Sequence, residues 1–128
     1  MILVTGATGH IGNVLIRKLL AQGEKVRALI WRGEDTRPLQ GLEIEQVVGD
    51  VLDPDSLDRA MAGVKCLYHL AGIISIMPGR DPQVWKVNVE GTKNVLVAAR
   101  RAGIRRLVYT SSIHAIARAP HGVPMDES

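Results

Sequence analysis

The sequence has no phenylalanine, two tryptophans, two tyrosines and one cysteine among its 128 residues. So few rings leave little to stack on unpaired bases, which argues against a single-strand nucleic-acid binder. The lone thiol, Cys66, rules out a disulfide framework within the chain and fits a reducing compartment. Its place in the apolar run "VKCLYHLAG" reads as that of a buried small hydrophobe. No stretch approaches the roughly 20 apolar residues of a membrane span. The opening "MILVTG" enters structure without a basic-then-apolar leader, so the expected location is cytoplasmic. Charge of either sign is not in large excess: the net value is +3. The basic cluster Arg100–Arg106 has a local explanation at a helix end, where cations complement the last carbonyls. Neither nucleic acid nor a membrane is expected as a partner.

What the sequence does contain is alternation. "MILVT" is a short apolar run, and from His10 to Gln22 the residues Ile11, Val14, Leu15 and Leu19 recur at helical spacing until Gly23. "EKVRALIW" reads as a second strand, followed by the polar loop "RGEDTRPLQG" and a third strand, "LEIEQVVG". "DPDSLDRAMAG" carries the marks of a short helix: Asp53 as N-cap, Pro54 in the first turn and Gly63 at the exit. "VKCLYHLAG" is a fourth strand, apolar enough to be buried on both faces. Asp81-Pro82 opens the longest helix, which runs to about Ala102 and stops at Gly103, and "IRRLVYTSS" is the fifth strand. Strands alternating with helices predict an α/β fold, a Rossmann-like doubly wound parallel sheet in the order 3-2-1-4-5 with helices on both faces. The length suits one domain.

Ligands in such sheets bind beyond the carboxyl ends of the strands, where the order reverses. That place holds "TGATGHIG". Gly6 allows the turn, Gly9 lets backbone approach a pyrophosphate, and Gly12 brings the helix close to the sheet. The free N–H groups of the helix start face the phosphates. Thr8, His10 and Ile11 are therefore counted among the cofactor contacts. The plainer alternative is a tight strand-to-helix turn without a ligand. A P-loop is excluded because no Gly-Lys-Ser/Thr follows, and the four histidines lack paired metal-ligand spacing. In the long helix Val84, Val87, Asn88, Gly91, Thr92, Val95 and Ala99 share one stripe. Asn88 is the anomaly there, since an amide on a buried face needs partners.

The spacing Gly-x2-Gly-x2-Gly after Thr5 resembles the extended short-chain dehydrogenase/reductase family, which includes nucleotide-sugar epimerases, dehydratases and dihydroflavonol-reductase-like enzymes. "GDVLD", "YHLAG", "NVEGTKNVL" and "YTSS" match the family in the same order and cover essentially the whole chain. The resemblance implies an NAD(P)-dependent oxidoreductase or epimerase/dehydratase that moves a hydride at a hydroxyl or carbonyl carbon of a small molecule. It implies that Asp50 accepts from the adenine amino group, that Val51 lies against the ring, and that Leu70, Ala71 and Gly72 let backbone approach a ribose. The counterpart of Asn88 bonds main chain near the active site and helps position a water. At the end of strand 2, NAD-preferring members carry an acid. Here Ile30 is followed by Trp31 and Arg32, so NADP is favoured over NAD. Arg37 is a second phosphate candidate, and Glu34 or Asp35 folding back is the opposing possibility.

The family's substrate-facing hydroxyl stands four residues before a Tyr-Gly pair. Aligning that pair with Ile116 and Ala117 makes Ser112 the catalytic hydroxyl, with Ser111 the second choice and Asn88 in support. The family's Tyr-x-x-x-Lys unit is absent: Gly72 stands four residues after Tyr68, and Ile113 four after Tyr109. Residues 1–128 are therefore expected to be the dinucleotide-binding domain of a longer enzyme, truncated before the catalytic helix and a C-terminal substrate domain, and inactive alone. Two rival readings stay open: a non-catalytic dinucleotide sensor, and an interaction module on the same fold. Self-association is open as well, because strand 5 would be an exposed edge.

Overall fold

The computed structural model of the chain describes residues 1–75, 81–112 and 122–123. Ile116, Ala117 and the tail from Pro124 lie outside them. Five strands, β1 (Ile2–Thr5), β2 (Val26–Ile30), β3 (Glu45–Val48), β4 (Cys66–His69) and β5 (Arg106–Tyr109), form one parallel sheet in the order β3-β2-β1-β4-β5. This is the expected doubly wound architecture. Its register places Val47, Leu29, Thr5, His69 and Tyr109 in a single row across the sheet.

Alternation along the strands feeds two cores. Leu3, Leu29 and Leu67 face α2 (Pro54–Met61) and α4 (Thr92–Arg101), where they meet Leu57, Met61 and Val95. Val4, Ala28 and Ile30 face α1 (His10–Ala21) and pack with Ile16 and Leu39. Each fully buried leucine contributes about 1.5–3 kcal/mol. Asp53 caps α2 by accepting from the backbone N–H groups of Asp55 and Ser56. At the other end, Arg27 donates to the carbonyls of Ala60 and Ala62 at 2.6 and 2.8 Å. Cys66 is half-buried against the α1-side core, less enclosed than its apolar run suggests.

Three local features differ from the sequence reading. In α1 the packed positions are Gly12, Ile16 and Leu19, whereas Ile11 and Val14 are 58% and 42% exposed. Gly12, rather than an apolar side chain, sets the phase of the helix: a Cβ there would lie 2.1 Å from the Gly6 carbonyl oxygen. The polar loop after β2 holds a 3₁₀ turn, Arg37–Leu39, that anchors Leu39 in the core. The long helix is not uniform: α3 (Pro82–Trp85) widens into a π turn, Lys86–Gly91, before α4. Asp81 caps its start through the Gln83 N–H.

Candidate functional site

At the carboxyl ends of β1, β2 and β4 lies a cavity of about 530 Å³. It sits at the switch point that the strand order creates. Gly6, with φ +67°, makes the β1-to-α1 turn, and a Cβ there would meet Leu70 and Ala71 backbone at 2.7 Å. α1 then starts at Gly9 with no side-chain cap and no acid in its first turn. Its leading N–H groups and positive dipole end are thus available to an anion.

Of the residues singled out from the sequence, Gly6, Asp50, Val51, Ala71 and Gly72 line the cavity. Thr8, Gly9, His10, Ile11, Gly12, Arg32 and Leu70 do not line it. The structure adds Trp31 and Glu34 to the wall. Asp50 turns the chain by accepting from Leu52 N at 2.8 Å, and its other carboxylate oxygen accepts from the Trp31 indole at 3.2 Å.

Of the acids after β2, Glu34 folds back to the strand end, the possibility that opposes NADP. Gly33, with φ +87°, folds the chain back, and Glu34 accepts from the Thr8 hydroxyl and from Trp31 N. Arg37 is engaged elsewhere: it grips Asp35 through Nη2 at 2.6 Å, which lowers the Asp35 pKa and raises its own. Arg32 is exposed and makes no side-chain hydrogen bond or ion pair among the described residues. The Glu34–Thr8 and Trp31–Asp50 contacts span long sequence separations. Their one local signal is the glycine between Arg32 and Glu34.

Asn88 stands in the π turn and pairs with backbone on both sides of its amide. Its Oδ1 accepts from Ile73 N at 2.8 Å, and its Nδ2 donates to Ile73 O at 2.9 Å. Both amide groups therefore serve main chain in the loop after β4. His69 is a core histidine, bonded to Thr5 and Thr92 and stacked on Tyr109 at 5.4 Å. Burial lowers its pKa to about 4. Thr110 continues the ladder through its N–H to His69 O, and Ser111 and Ser112 follow it as exposed residues. Among the described residues no group of three His, Cys, Asp or Glu side chains could hold a metal ion, and no helix is long and apolar enough to cross a membrane.

Known proteins share this sequence and this fold. "Sterol demethylase protein B" of Methylococcus capsulatus (strain ATCC 33009 / NCIMB 11132 / Bath) is 50% identical over 120 residues, 94% of this chain and 37% of that protein. A "putative dihydroflavonol 4-reductase" of Synechocystis sp. (strain ATCC 27184 / PCC 6803 / Kazusa) is 44% identical over 125 residues, 98% of this chain and 36% of the relative. The chain thus spans about a third of the length of the curated relatives it matches. A solved short-chain dehydrogenase/reductase superfamily protein from Agrobacterium tumefaciens, with bound NAD, superposes with a TM-score of 0.73 at 41% identity, covering 88% of this chain and 32% of that one. A model of the 3-beta hydroxysteroid dehydrogenase/isomerase family matches residues 3–128. With that match over nearly its whole length, the chain belongs to the 3-beta hydroxysteroid dehydrogenase/isomerase family, within the short-chain dehydrogenase/reductase and NAD-dependent epimerase/dehydratase superfamily.

Proposed function

We propose that this chain is the dinucleotide-binding part of an NAD(P)-dependent oxidoreductase that interconverts a hydroxyl and a carbonyl group. The observation that carries the reading is the tight Gly6–Gly12 turn, with an uncapped helix start, beside a cavity at the sheet's switch point. The residues fit the cofactor. Gly9 and the first N–H groups of α1, with Thr8, His10 and Ile11 around them, hold the pyrophosphate. Gly6, Leu70, Ala71 and Gly72 border the ribose nearer the nicotinamide, and Asp50 and Val51 receive the adenine. When bound, the dinucleotide supplies the hydride donor or acceptor.

Ser112, or Ser111 in its place, hydrogen-bonds the substrate oxygen and stabilises the charge that develops there. Asn88 supports that end of the site by holding the Ile73 backbone. The proton is moved by a tyrosine and lysine supplied by chain beyond Ser128, and the greater length of the relatives supports this division. By itself the 128-residue piece is inactive. The enzyme works in the cytoplasm.

The cofactor favoured is NADP, because the exposed and unengaged Arg32 guanidinium suits a 2′-phosphate. One observation favours NAD instead: the Glu34 carboxylate beside Thr8 would accept ribose hydroxyls and repel a phosphate. Titration of the chain with NADPH and NADH, followed by cofactor fluorescence, tests both levels. Saturable binding with NADPH preferred is the expected result. Preference for NADH overturns the cofactor choice, and failure of both to bind overturns the dinucleotide reading in favour of an interaction module.

A further inference from the structure

His69 is 1% exposed, and each of its ring nitrogens meets a threonine hydroxyl, Nδ1 with Thr5 at 2.7 Å and Nε2 with Thr92 at 3.1 Å. The direction of every bond in this chain follows from proton counting. Thr92 N–H bonds Val89 O, while the Thr92 hydroxyl donates its one proton to Asn88 O at 2.7 Å. Its oxygen must therefore accept from the ring, which places the histidine proton on Nε2. Nδ1 is then an acceptor and takes the Thr5 hydroxyl proton. The Thr5 oxygen in turn accepts from the Leu70 and Ala71 N–H groups, both at 3.2 Å. In an imidazolium Nδ1 would also be a donor, and the Thr5 hydroxyl proton would be left without an acceptor.

The two ends of this chain of bonds act on one short segment. From the β1 side, Thr5 fixes the N–H groups of Leu70 and Ala71. From the π turn, Asn88 fixes both the N–H and the carbonyl of Ile73. Ala71, Gly72 and Ile73 are wall of the cavity. We propose that His69, as the neutral Nε2–H tautomer, is a positioning residue that ties the glycine-rich turn to the Asn88 turn and so sets the backbone of the Ala71–Ile73 wall. The proposal rests on the reading of that cavity as the dinucleotide site.

The test compares Thr92→Val, which removes both the acceptor for Nε2–H and the donor to Asn88 O, with Thr92→Ser, which keeps both. Nitrogen-15 NMR of the wild-type chain at neutral pH should show the neutral Nε2–H ring. Thr92→Val should shift the Asn88 side-chain amide and the Ala71–Ile73 backbone signals and raise the NADPH or NADH Kd by about threefold or more. Thr92→Ser should return both to wild-type values. An Nδ1–H tautomer, an imidazolium, or a Thr92→Val chain with unmoved signals and unchanged Kd overturns the proposal. Should Thr92→Val fail to fold, His69→Gln, which keeps a donor but lacks the ring's fixed acceptor toward Thr5, is read in the same way. If wild type binds neither dinucleotide, the functional reading falls, while the tautomer and the amide shifts still decide the role of His69.

Discussion

Val51 occupies the space that a side chain at Gly91 would need: a Cβ on Gly91 would come within 2.6 Å of Val51 Cγ2 and 3.1 Å of its Cβ. The last residue of the π turn and the proposed adenine wall are therefore packed as one unit. Gly91→Ala gains about 1 kcal/mol of helix propensity but overpacks this contact at a cost of about 1–3 kcal/mol. A net loss of stability is expected in urea unfolding, together with weaker dinucleotide binding as Val51 is displaced. A stabilised variant with unchanged affinity would show that Val51 yields freely.

The glycine turn makes a sharper comparison. A Cβ at Gly12 meets backbone three times, at 2.1 Å from Gly6 O and 2.9 Å from Ala7 Cα and Gly6 C. At Gly9 the nearest atom is Gly6 O at 3.3 Å. Gly12→Ala should lower stability by about 3 kcal/mol or more, since rigid backbone has to move. Gly9→Ala should cost less than about 1 kcal/mol yet still reduce dinucleotide affinity, because its methyl group stands where the phosphates approach. Equal stability losses in the two variants would contradict this division of roles.

The depressed pKa of His69 has a defined sign. Folded, the ring titrates at about 4, against 6.5 for the free side chain, because burial disfavours its charged form. Between those values the unfolded chain binds a proton that the folded chain does not, so stability rises with pH up to about 6.5 and is flat above it. The contribution is lost as pH falls from 6.5 towards 4 and amounts to at most about 3 kcal/mol. Subtracting the unfolding free energies of His69→Gln from those of wild type across pH 4–8 isolates it from the carboxylates. A difference that does not vary with pH would refute the assignment.

Arg32 and Glu34 make opposite demands on the cofactor. Arg32→Ala should raise the NADPH Kd about tenfold, the worth of one charge-assisted contact, and leave NADH nearly unchanged. Glu34→Gln removes the like charge beside Thr8 and should tighten NADPH. If Arg32→Ala is silent and Glu34→Gln weakens NADH instead, the carboxylate is the ribose ligand and NAD the cofactor.

How legible was this in the sequence? Strand order and helix placement were readable because apolar runs, Gly23, Gly63 and Gly103 punctuate the chain at the right intervals, and Asp53 announces its cap. The phase of α1 was not, because the contact that sets it is made by Gly12, which carries no apolar signal. The π turn changes hydrogen bonding without changing the buried stripe, so the stripe locates Asn88 and Gly91 on the right face but not in the right type of helix. The Thr8–Glu34 and Trp31–Asp50 contacts join distant segments, and periodicity has no access to such pairs.

The outer strand of the sheet carries exposed apolar residues. Val108 is 40% and Tyr109 46% exposed, and among the described residues β5 pairs on one side, with β4. An open strand edge beside apolar surface invites pairing with another chain. The 128-residue chain should self-associate in sedimentation at micromolar concentration, and Val108→Lys should shift it towards monomer. A monomer independent of concentration would contradict this.

The row Val47, Leu29, Thr5, His69, Tyr109 makes the sheet a ruler for the site. Because side chains alternate faces, a slip of β4 by one residue against β1 would set Leu70 opposite Thr5 and turn the His69 ring towards α1. Thr5 and Thr92 would then lose their common partner, His69, in one step. Assembly of this wall is therefore digital: strand pairing sets it in register or not at all, with no partly correct intermediate to inherit.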